Sequence, residues 1–126
     1  MDRIGLADHR DLVVWQKAMQ LAGDIYRATA AFPRGEIFGL AAQLRRAAVS
    51  IPSNLAEGSA RRTSADFMHF LHIARGSQAE VDTQLRLARD LGFLPGDVGA
   101  ELLSRTDEVG RLLTAVIHGV RRRQAQ

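Results

Sequence analysis

The polar side chains with the most chemical potential follow one face of a single predicted helix. Gln43, Arg46, Ser50, Asn54 and Glu57 recur at spacings of three and four residues, which aligns them along one edge of that helix. Such a row of amide, guanidinium, hydroxyl and carboxylate groups could bind a polar ligand or a nucleic acid. It could equally form a structural network that fixes helix register or a subunit contact. We favour the structural network, because half-buried polar groups are costly unless they pair.

A shorter polar row on a later helix matches the first. Ser77, Glu80 and Gln84 recur there at the same helical spacings. We predict an ion pair between Arg46 and Glu80, and amide contacts between Asn54 and its neighbours. The two rows together, with Ser77, are called the polar seam, and its candidate site residues are Gln43, Arg46, Ser50, Asn54, Glu57, Glu80 and Gln84.

Other constellations that could do chemistry are weaker. His69 and His72 lie three residues apart and could share a metal, but no further ligand completes a site, so surface or packing roles are favoured. No serine has a plausible base and orienting acid. The phosphate-binding motifs G-x-x-x-x-G-K-[ST] and G-x-G-x-x-G do not occur. Glu57 and Glu80 cannot be assigned acid and base roles. We therefore predict no catalytic residue, no metal, no cofactor and no small-molecule substrate, and thus no enzyme.

Positive charge in this chain is almost entirely arginine. Seventeen Lys and Arg residues oppose fourteen Asp and Glu residues for a net charge of +3, and Lys17 is the single lysine. Arginine can recognise phosphate, although a GC-rich genome is the favoured cause of this bias. Residues 27–62 alone carry a charge of +4. The candidates for sequence-independent nucleic-acid binding are Arg45, Arg61, Arg62, Arg121, Arg122 and Arg123, with a solvated or ion-paired charged face as the alternative.

Apolar periodicity must supply the elements that position these groups. The 126 residues are 46% hydrophobic, enough for one domain, and show four helical patterns without alternating strand patterns. We predict an all-α fold, an antiparallel up-down-up-down four-helix bundle. Its core spans about residues 11–120, with a flexible N-terminal segment and a basic C-terminal tail.

The first two helices are bounded by capping and breaking residues. Helix one is predicted to start near Asp11, as an N-cap, and to end before the breaker at 32–35. Helix two is predicted from about Glu36 to Glu57, with a kink at Pro52 or a division there into two shorter helices. The predicted core face of helix one consists of Trp15, Ala18, Met19, Ala22, Ile25, Tyr26 and Thr29.

The last two helices are the longest patterns. Helix three is predicted to be capped by Thr63 or Ser64 and to end near Leu91, and Asp97 is predicted to cap helix four. On helix three, a second apolar sector lies beside the core stripe and would be surplus in one bundle, which favours an oligomer. This sector consists of Ile73, Leu87 and Leu91.

Cysteine content and hydropathy indicate the compartment. The chain has no cysteine, which is compatible with a reducing environment. No stretch approaches the ~18 consecutive apolar residues of a membrane span, and the N-terminus lacks the apolar core of an export signal. We predict a cytoplasmic protein without a membrane partner.

Three segments resemble a known family. They are DLVVWQKAMQLAGDIYRATAAFP, FGLAAQLRRAAVSIPSNLAEG and DFMHFLHIARGSQAEVDTQLRLARDLGFL. Over roughly residues 11 to 120 the chain resembles the four-helix bundle proteins, also called the 23S ribosomal RNA intervening-sequence protein family. The resemblance implies a small cytosolic antiparallel bundle that assembles into a ring-shaped homopentamer and has no established activity. The family is also similar in architecture to the accessory variability determinant of diversity-generating retroelements, a basic pentameric barrel.

These observations predict a non-enzymatic protein that acts as an oligomeric scaffold or protein-interaction module. Its main partner would be further copies of itself. The alternative is arginine-mediated, sequence-independent binding of RNA or DNA by a ring-shaped oligomer, in which the ring would multiply each basic patch.

Overall fold

The computed structural model describes residues 8–125, which contain four α-helices and no strand. The helices are α1, Val13–Thr29; α2, Leu40–Ser59; α3, Ser64–Asp90; and α4, Gly96–Gln124. Two short 3₁₀ turns, His9–Asp11 and Arg34–Glu36, precede α1 and α2. The predicted all-α fold is confirmed. The prediction of a flexible N-terminal segment falls on residues 1–7, which lie outside the described residues.

The four helices enclose one apolar core. α1 packs against α2 and α4, and α3 likewise packs against α2 and α4, so the helices contact one another in a closed cycle. All four contribute side chains with almost no solvent exposure, as expected for amphipathic helices in a bundle. The largest of these are Leu21, Ile25, Leu44, Ile51, Leu55, Phe67, Leu71, Leu85, Leu113 and Ile117.

The helix starts differ in part from those predicted. Thr63 caps α3 as expected, because its Oγ1 accepts a hydrogen bond from Asp66 N at 3.1 Å. The prediction that Asp11 caps α1 is wrong, since Asp11 ends a 3₁₀ turn and α1 begins at Val13. Asp8 caps that turn instead, accepting from a backbone N–H with its carboxylate. Asp11, which was predicted to cap the helix, thus belongs to the 3₁₀ turn that precedes it.

The starts of α2 and α4 were also placed differently. Glu36 lies in the second 3₁₀ turn, and α2 begins four residues later, where Leu40 N donates to Glu36 Oε1 at 3.2 Å. The carboxylate thus satisfies one of the unpaired amides at the helix start. Asp97 is not the cap of α4 but sits in its first turn, after Pro95. A proline has no N–H to leave unpaired and its fixed φ suits a helix start.

The buried face of α1 is rotated about the helix axis relative to the predicted face. Met19 and Tyr26, predicted to be in the core, are each 46% exposed, whereas Val14 and Leu21 are buried. On α3 the prediction was right: Ile73, Leu87 and Leu91 lie outside the core, with 38%, 48% and 54% exposure. These three residues are called the α3 apolar row.

α2 is one continuous helix through its proline. Pro52 is buried within the helix, and the predicted alternative of two shorter helices is wrong. At the other end of the chain, α4 extends through Arg121–Arg123 to Gln124, so the basic tail is helical and exposed. Over the described residues, every helix falls short of the combination of length and apolarity that crossing a bilayer requires.

Candidate functional site

The centre of the polar seam joins α2 to α3 through two hydroxyls. Ser50 Oγ and Ser77 Oγ lie 2.8 Å apart. Asn54 Nδ2 donates to the carbonyl oxygen of Ser50 at 2.8 Å and to its Oγ at 2.9 Å. The predicted amide contacts of Asn54 are therefore present. Because Ser77 is buried and Ser50 and Asn54 are half-buried, this cluster fixes the register of the two helices.

The hydrogen bonds are weaker in the part of the seam that contains Gln43 and Gln84. Gln84 Nε2 donates to Gln43 Oε1 at 3.5 Å, at the limit of a hydrogen bond. Gln84 Oε1 is shielded from solvent and has no hydrogen-bond partner among the described residues. A buried acceptor without a donor costs about 1–3 kcal/mol. The polar contact between Gln43 and Gln84 is thus weaker than the one between Ser50 and Ser77.

The charged members of the seam do not pair as predicted. Among the ion pairs of residues 8–125, none joins Arg46 to Glu80, and both side chains are exposed. Water solvates each charge there, so an ion pair gains little and costs the ordering of two long side chains. Glu57 instead pairs with Arg61, which lies four residues on and just beyond the end of α2, at 2.5 Å. The seam is therefore a hydroxyl and amide contact with an exposed charged margin.

Arg45 ties α2 to the end of α1. Its Nε donates to Thr29 Oγ1 at 2.8 Å and its Nη2 donates to the carbonyl oxygen of Tyr26 at 3.2 Å. The guanidinium carbon lies 4.7 Å from the centroid of the Tyr26 ring. These contacts place Arg45, a predicted nucleic-acid residue, in a structural role, because it adds a donor from α2 to a carbonyl in the last turn of α1 that already accepts from Ala30 N.

The remaining predicted nucleic-acid residues gather at one end of the bundle. Arg89 packs against Gly99 and Gln78 against Gly110, so positions on α4 rise as those on α3 fall. The C-terminal arginines of α4 consequently lie at the end where α3 starts, near the loop that carries Arg62. Members of this basic end are Arg61, Arg62, Arg121, Arg122 and Arg123, all exposed.

Arg45 and Arg61 differ from the other predicted nucleic-acid residues, Arg61 in its contacts and Arg45 in its position. Arg61 pairs with Glu57 and also stacks on Phe70, with its guanidinium carbon 4.9 Å from the ring centroid. Arg45 lies sixteen residues before Arg61 on α2, which corresponds to ~24 Å along the helix. The structure therefore does not bring Arg45 together with the basic end.

Sequence reasoning missed an apolar groove between α1 and α2. The groove encloses about 410 Å³. Its larger apolar side chains are Trp15, Met19, Tyr26, Val49 and Pro52. Met19, Tyr26 and Val49 are each at least 40% exposed, which is unusual for side chains this large. The signal was available in α1, since Met19 and Tyr26 lie seven residues apart on one face. It was assigned to the core instead.

A cleft between α3 and α4 was also missed. It has a volume of about 540 Å³ and carries His72, Arg75, His118 and Arg121. A sequence signal exists here as well, because each helix contributes a histidine followed three residues later by an arginine. His69 does not join this cleft and instead contacts the Phe70 ring edge-on, 5.2 Å between centroids. In residues 8–125, no group of three or more potential ligands is arranged to hold a metal ion.

Comparison with known proteins identifies the bundle. The model of the 23S rRNA-intervening sequence protein family matches residues 10–115. A solved structure from Bacteroides thetaiotaomicron, described as a protein of unknown function from the S23 ribosomal protein family, superposes with a TM-score of 0.78. It is 23% identical, and the alignment covers 84% of this chain and 96% of that one. No curated protein matches. The chain belongs to the 23S rRNA-intervening sequence protein family.

Proposed function

We propose that the protein is a non-enzymatic helical scaffold that assembles into a ring of identical subunits. The observation that carries the proposal is the presence of two separate exposed apolar surfaces on one small bundle. One is the α1/α2 groove, with Trp15, Met19, Tyr26 and Val49. The other is the α3 apolar row. The cytoplasmic location stays a prediction from composition.

The two surfaces have complementary shapes. The groove is concave, whereas the row presents three aliphatic side chains along one face of a single helix. A second copy of the chain could place its row in the groove of the first. Contacts between unlike surfaces leave each open assembly with one free groove at one end and one free row at the other, so association continues until the rotation closes a ring. The family resemblance implies five subunits, which is the number we propose.

The polar seam supports the same arrangement. Glu80 and Gln84 lie on α3 between positions of the apolar row, and Gln84 Oε1 lacks a donor. An interface that covers the row would have these two polar side chains beside its apolar contacts. Apolar anchors surrounded by polar groups are typical of subunit interfaces.

The first test is the mass in solution. Light scattering and native mass spectrometry of the parent protein should give about 69 kDa, five times the 13.8 kDa of one chain. Val49→Glu, in the groove, and Leu87→Glu, in the row, should each give monomers, because each buries a charge in an apolar contact. Ala115→Glu, at an exposed position of α4, is the matched control and should leave the mass unchanged.

Mixing the two variants tests the pairing of unlike surfaces. The Val49→Glu subunit keeps an intact row and the Leu87→Glu subunit keeps an intact groove. Together they should form a heterodimer of about 28 kDa, twice the mass of one chain, and stop there. A parent protein that is monomeric at all concentrations would overturn the scaffold proposal. A mixture that stays monomeric would overturn the pairing of groove with row.

The second candidate function is sequence-independent nucleic-acid binding at the basic end. Its support is the location of Arg62 and the α4 C-terminal arginines at one end of the bundle. Phosphate contacts need only clustered cations, and a ring would repeat the cluster in every subunit. A gel-shift titration with RNA and DNA at two salt concentrations tests it. Binding should weaken steeply with salt and fall in the Arg62→Gln/Arg122→Gln variant, and a lack of binding at low salt would overturn it.

A further inference from the structure

The α3/α4 cleft has an unusual charge composition. Its lining residues are His72, Arg75, Gly76, Gln78, Ala79, Thr114, His118 and Arg121. Two arginines and two histidines face this space, and no carboxylate is among the lining residues. A charged cleft between α1 and α4, by contrast, contains Glu101 and Glu108 beside its cations. The α3/α4 cleft is therefore suited to an anion.

The two arginines of the cleft are not neutralised by neighbouring acids. Six arginines of residues 8–125 are held in ion pairs: Arg10, Arg27, Arg61, Arg86, Arg105 and Arg111. Arg75 and Arg121 are not in this set. Both side chains are exposed. Their guanidinium groups thus keep their donors for a ligand, and a guanidinium can donate two parallel hydrogen bonds to one phosphate.

Close packing of the two helices gives the cleft a fixed wall. Gln78 Nε2 donates to the carbonyl oxygen of Thr106 at 3.1 Å and lies over Gly110. A Cβ added at Gly110 would approach that amide nitrogen to 2.6 Å, so a larger residue there would displace the Gln78 amide from its present position. Beyond Gln78, Gly76 and Ala79 present little side-chain bulk to the cleft. A ligand can therefore approach between the basic side chains of the two helices.

The cleft continues along α4 into a second depression. This depression shares Arg75, Gln78 and Thr114 with the cleft and adds Arg111 together with the carboxylate of Asp107, with which Arg111 pairs. From Arg111 to Arg121 the helix rises ~15 Å. The basic groove is thus longer than a single phosphate needs.

We propose that the α3/α4 cleft is a phosphate-binding site that holds the backbone of a polyanion through Arg75, Arg121, His72 and His118. The proposal rests on the second candidate function and assigns it a location. Donors that meet phosphates and not base edges predict binding without sequence preference. A nucleic-acid strand and a free polyphosphate carry the same groups, so the test must separate them.

The test measures fluorescence anisotropy of a labelled single-stranded RNA 12-mer with the full-length protein. Arg75→Gln/Arg121→Gln should weaken binding at least tenfold at low salt and lower the slope of log K against log salt by about 2. The matched control is Arg34→Gln/Arg46→Gln, which removes the same charge from two exposed positions outside the cleft. It should change the affinity less than twofold. Circular dichroism melts verify that both variants fold.

Titration with inorganic tripolyphosphate distinguishes the sources of the phosphate. If the parent binds tripolyphosphate but not RNA, and the cleft variant loses that binding, the site stands with a small polyphosphate as its ligand. If RNA binds equally to parent and cleft variant but is lost in Arg62→Gln/Arg122→Gln, the cleft assignment is overturned while the second candidate function survives. If neither probe binds at low salt, both are overturned.

Discussion

Arg45 Cζ lies 4.7 Å above the centre of the Tyr26 ring, with the guanidinium also bonded to the carbonyl oxygen of that tyrosine. One side chain of α2 thus contacts the last turn of α1 through both a ring and a carbonyl. Arg45→Ala should lower the free energy of unfolding by about 1–3 kcal/mol, because both contacts and the bond to Thr29 are lost. Urea denaturation measures this.

Lysine at the same position is the control. Arg45→Lys keeps the charge but cannot reproduce the planar fork, so it should recover only part of the lost stability. An alanine variant within about 0.5 kcal/mol of the parent, as for an ordinary surface substitution, would contradict the structural role.

The Ser50–Ser77 hydroxyl pair can be tested with a double-mutant cycle. Each single alanine substitution should destabilise by about 1 kcal/mol, because it leaves the other hydroxyl without its partner. The double variant should cost less than the sum, with a coupling of about 0.5–1.5 kcal/mol. Thermal and urea unfolding of the four proteins supply the cycle. Strictly additive losses would mean that the two hydroxyls do not interact.

Gly58 marks a close approach of α2 to α3. A Cβ at this position would lie 2.8 Å from Phe70 Cβ and 2.9 Å from a ring carbon of the buried Phe67. Gly58→Ala should therefore destabilise by about 1–3 kcal/mol through overpacking, despite the better helix propensity of alanine. Differential scanning calorimetry measures the change.

Gly76 provides the matched comparison for Gly58. It also lies within a helix, but a Cβ there would meet nothing within 4 Å. Gly76→Ala should be neutral or stabilise by up to ~1 kcal/mol. Equal effects at the two glycines would show that helix propensity, and not helix packing, determines the outcome.

Asp8 should titrate at unusually low pH. Hydrogen bonds from the side chain and the backbone N–H of Arg10 favour the charged carboxylate and hold the pKa of Asp8 well below its usual range. The stabilising contribution of this group is present above the unfolded pKa of ~3.9 and is lost as the pH falls through the folded pKa. NMR titration of the carboxyl carbon should show this, and Arg10→Ala should raise the pKa. An unchanged pKa in that variant would exclude Arg10 as the cause.

The sequence predicted the fold more completely than it predicted the surface. The spacing of apolar residues located all four helices and the second apolar sector of α3. Buried positions recur with the period of the helix, and they are occupied by apolar residues that can be read directly from the sequence. The prediction failed at Met19 and Tyr26, which lie at the border of the core face and are large enough to be assigned to it. Sequence spacing cannot decide whether a border residue turns towards the core or towards a groove, since the neighbouring helix determines that choice.

The candidate site was predictable only where the groups are short and buried. Serine and asparagine have few rotamers, so their position on a helix face nearly determines their contacts, and the Asn54 contacts were predicted correctly. Arg46 and Glu80 have long, exposed side chains whose direction depends on solvent, and the predicted ion pair did not form. The cleft required two helices to be aligned, which a single helical pattern does not specify.

Pro52 at the middle of α2 has a consequence for the rate of folding. The bond that precedes it is trans, yet ~10–30% of such bonds are cis in unfolded chains and return over tens to hundreds of seconds. α2 lies between α1 and α3 and supplies one wall of the groove. In a chain with the cis isomer, the bond before Pro52 must isomerise to trans before α2 can pack against α1 and α3. Subunits that refold from the unfolded state should therefore divide into a fast and a slow population, and the slow population would limit the rate at which the proposed ring assembles.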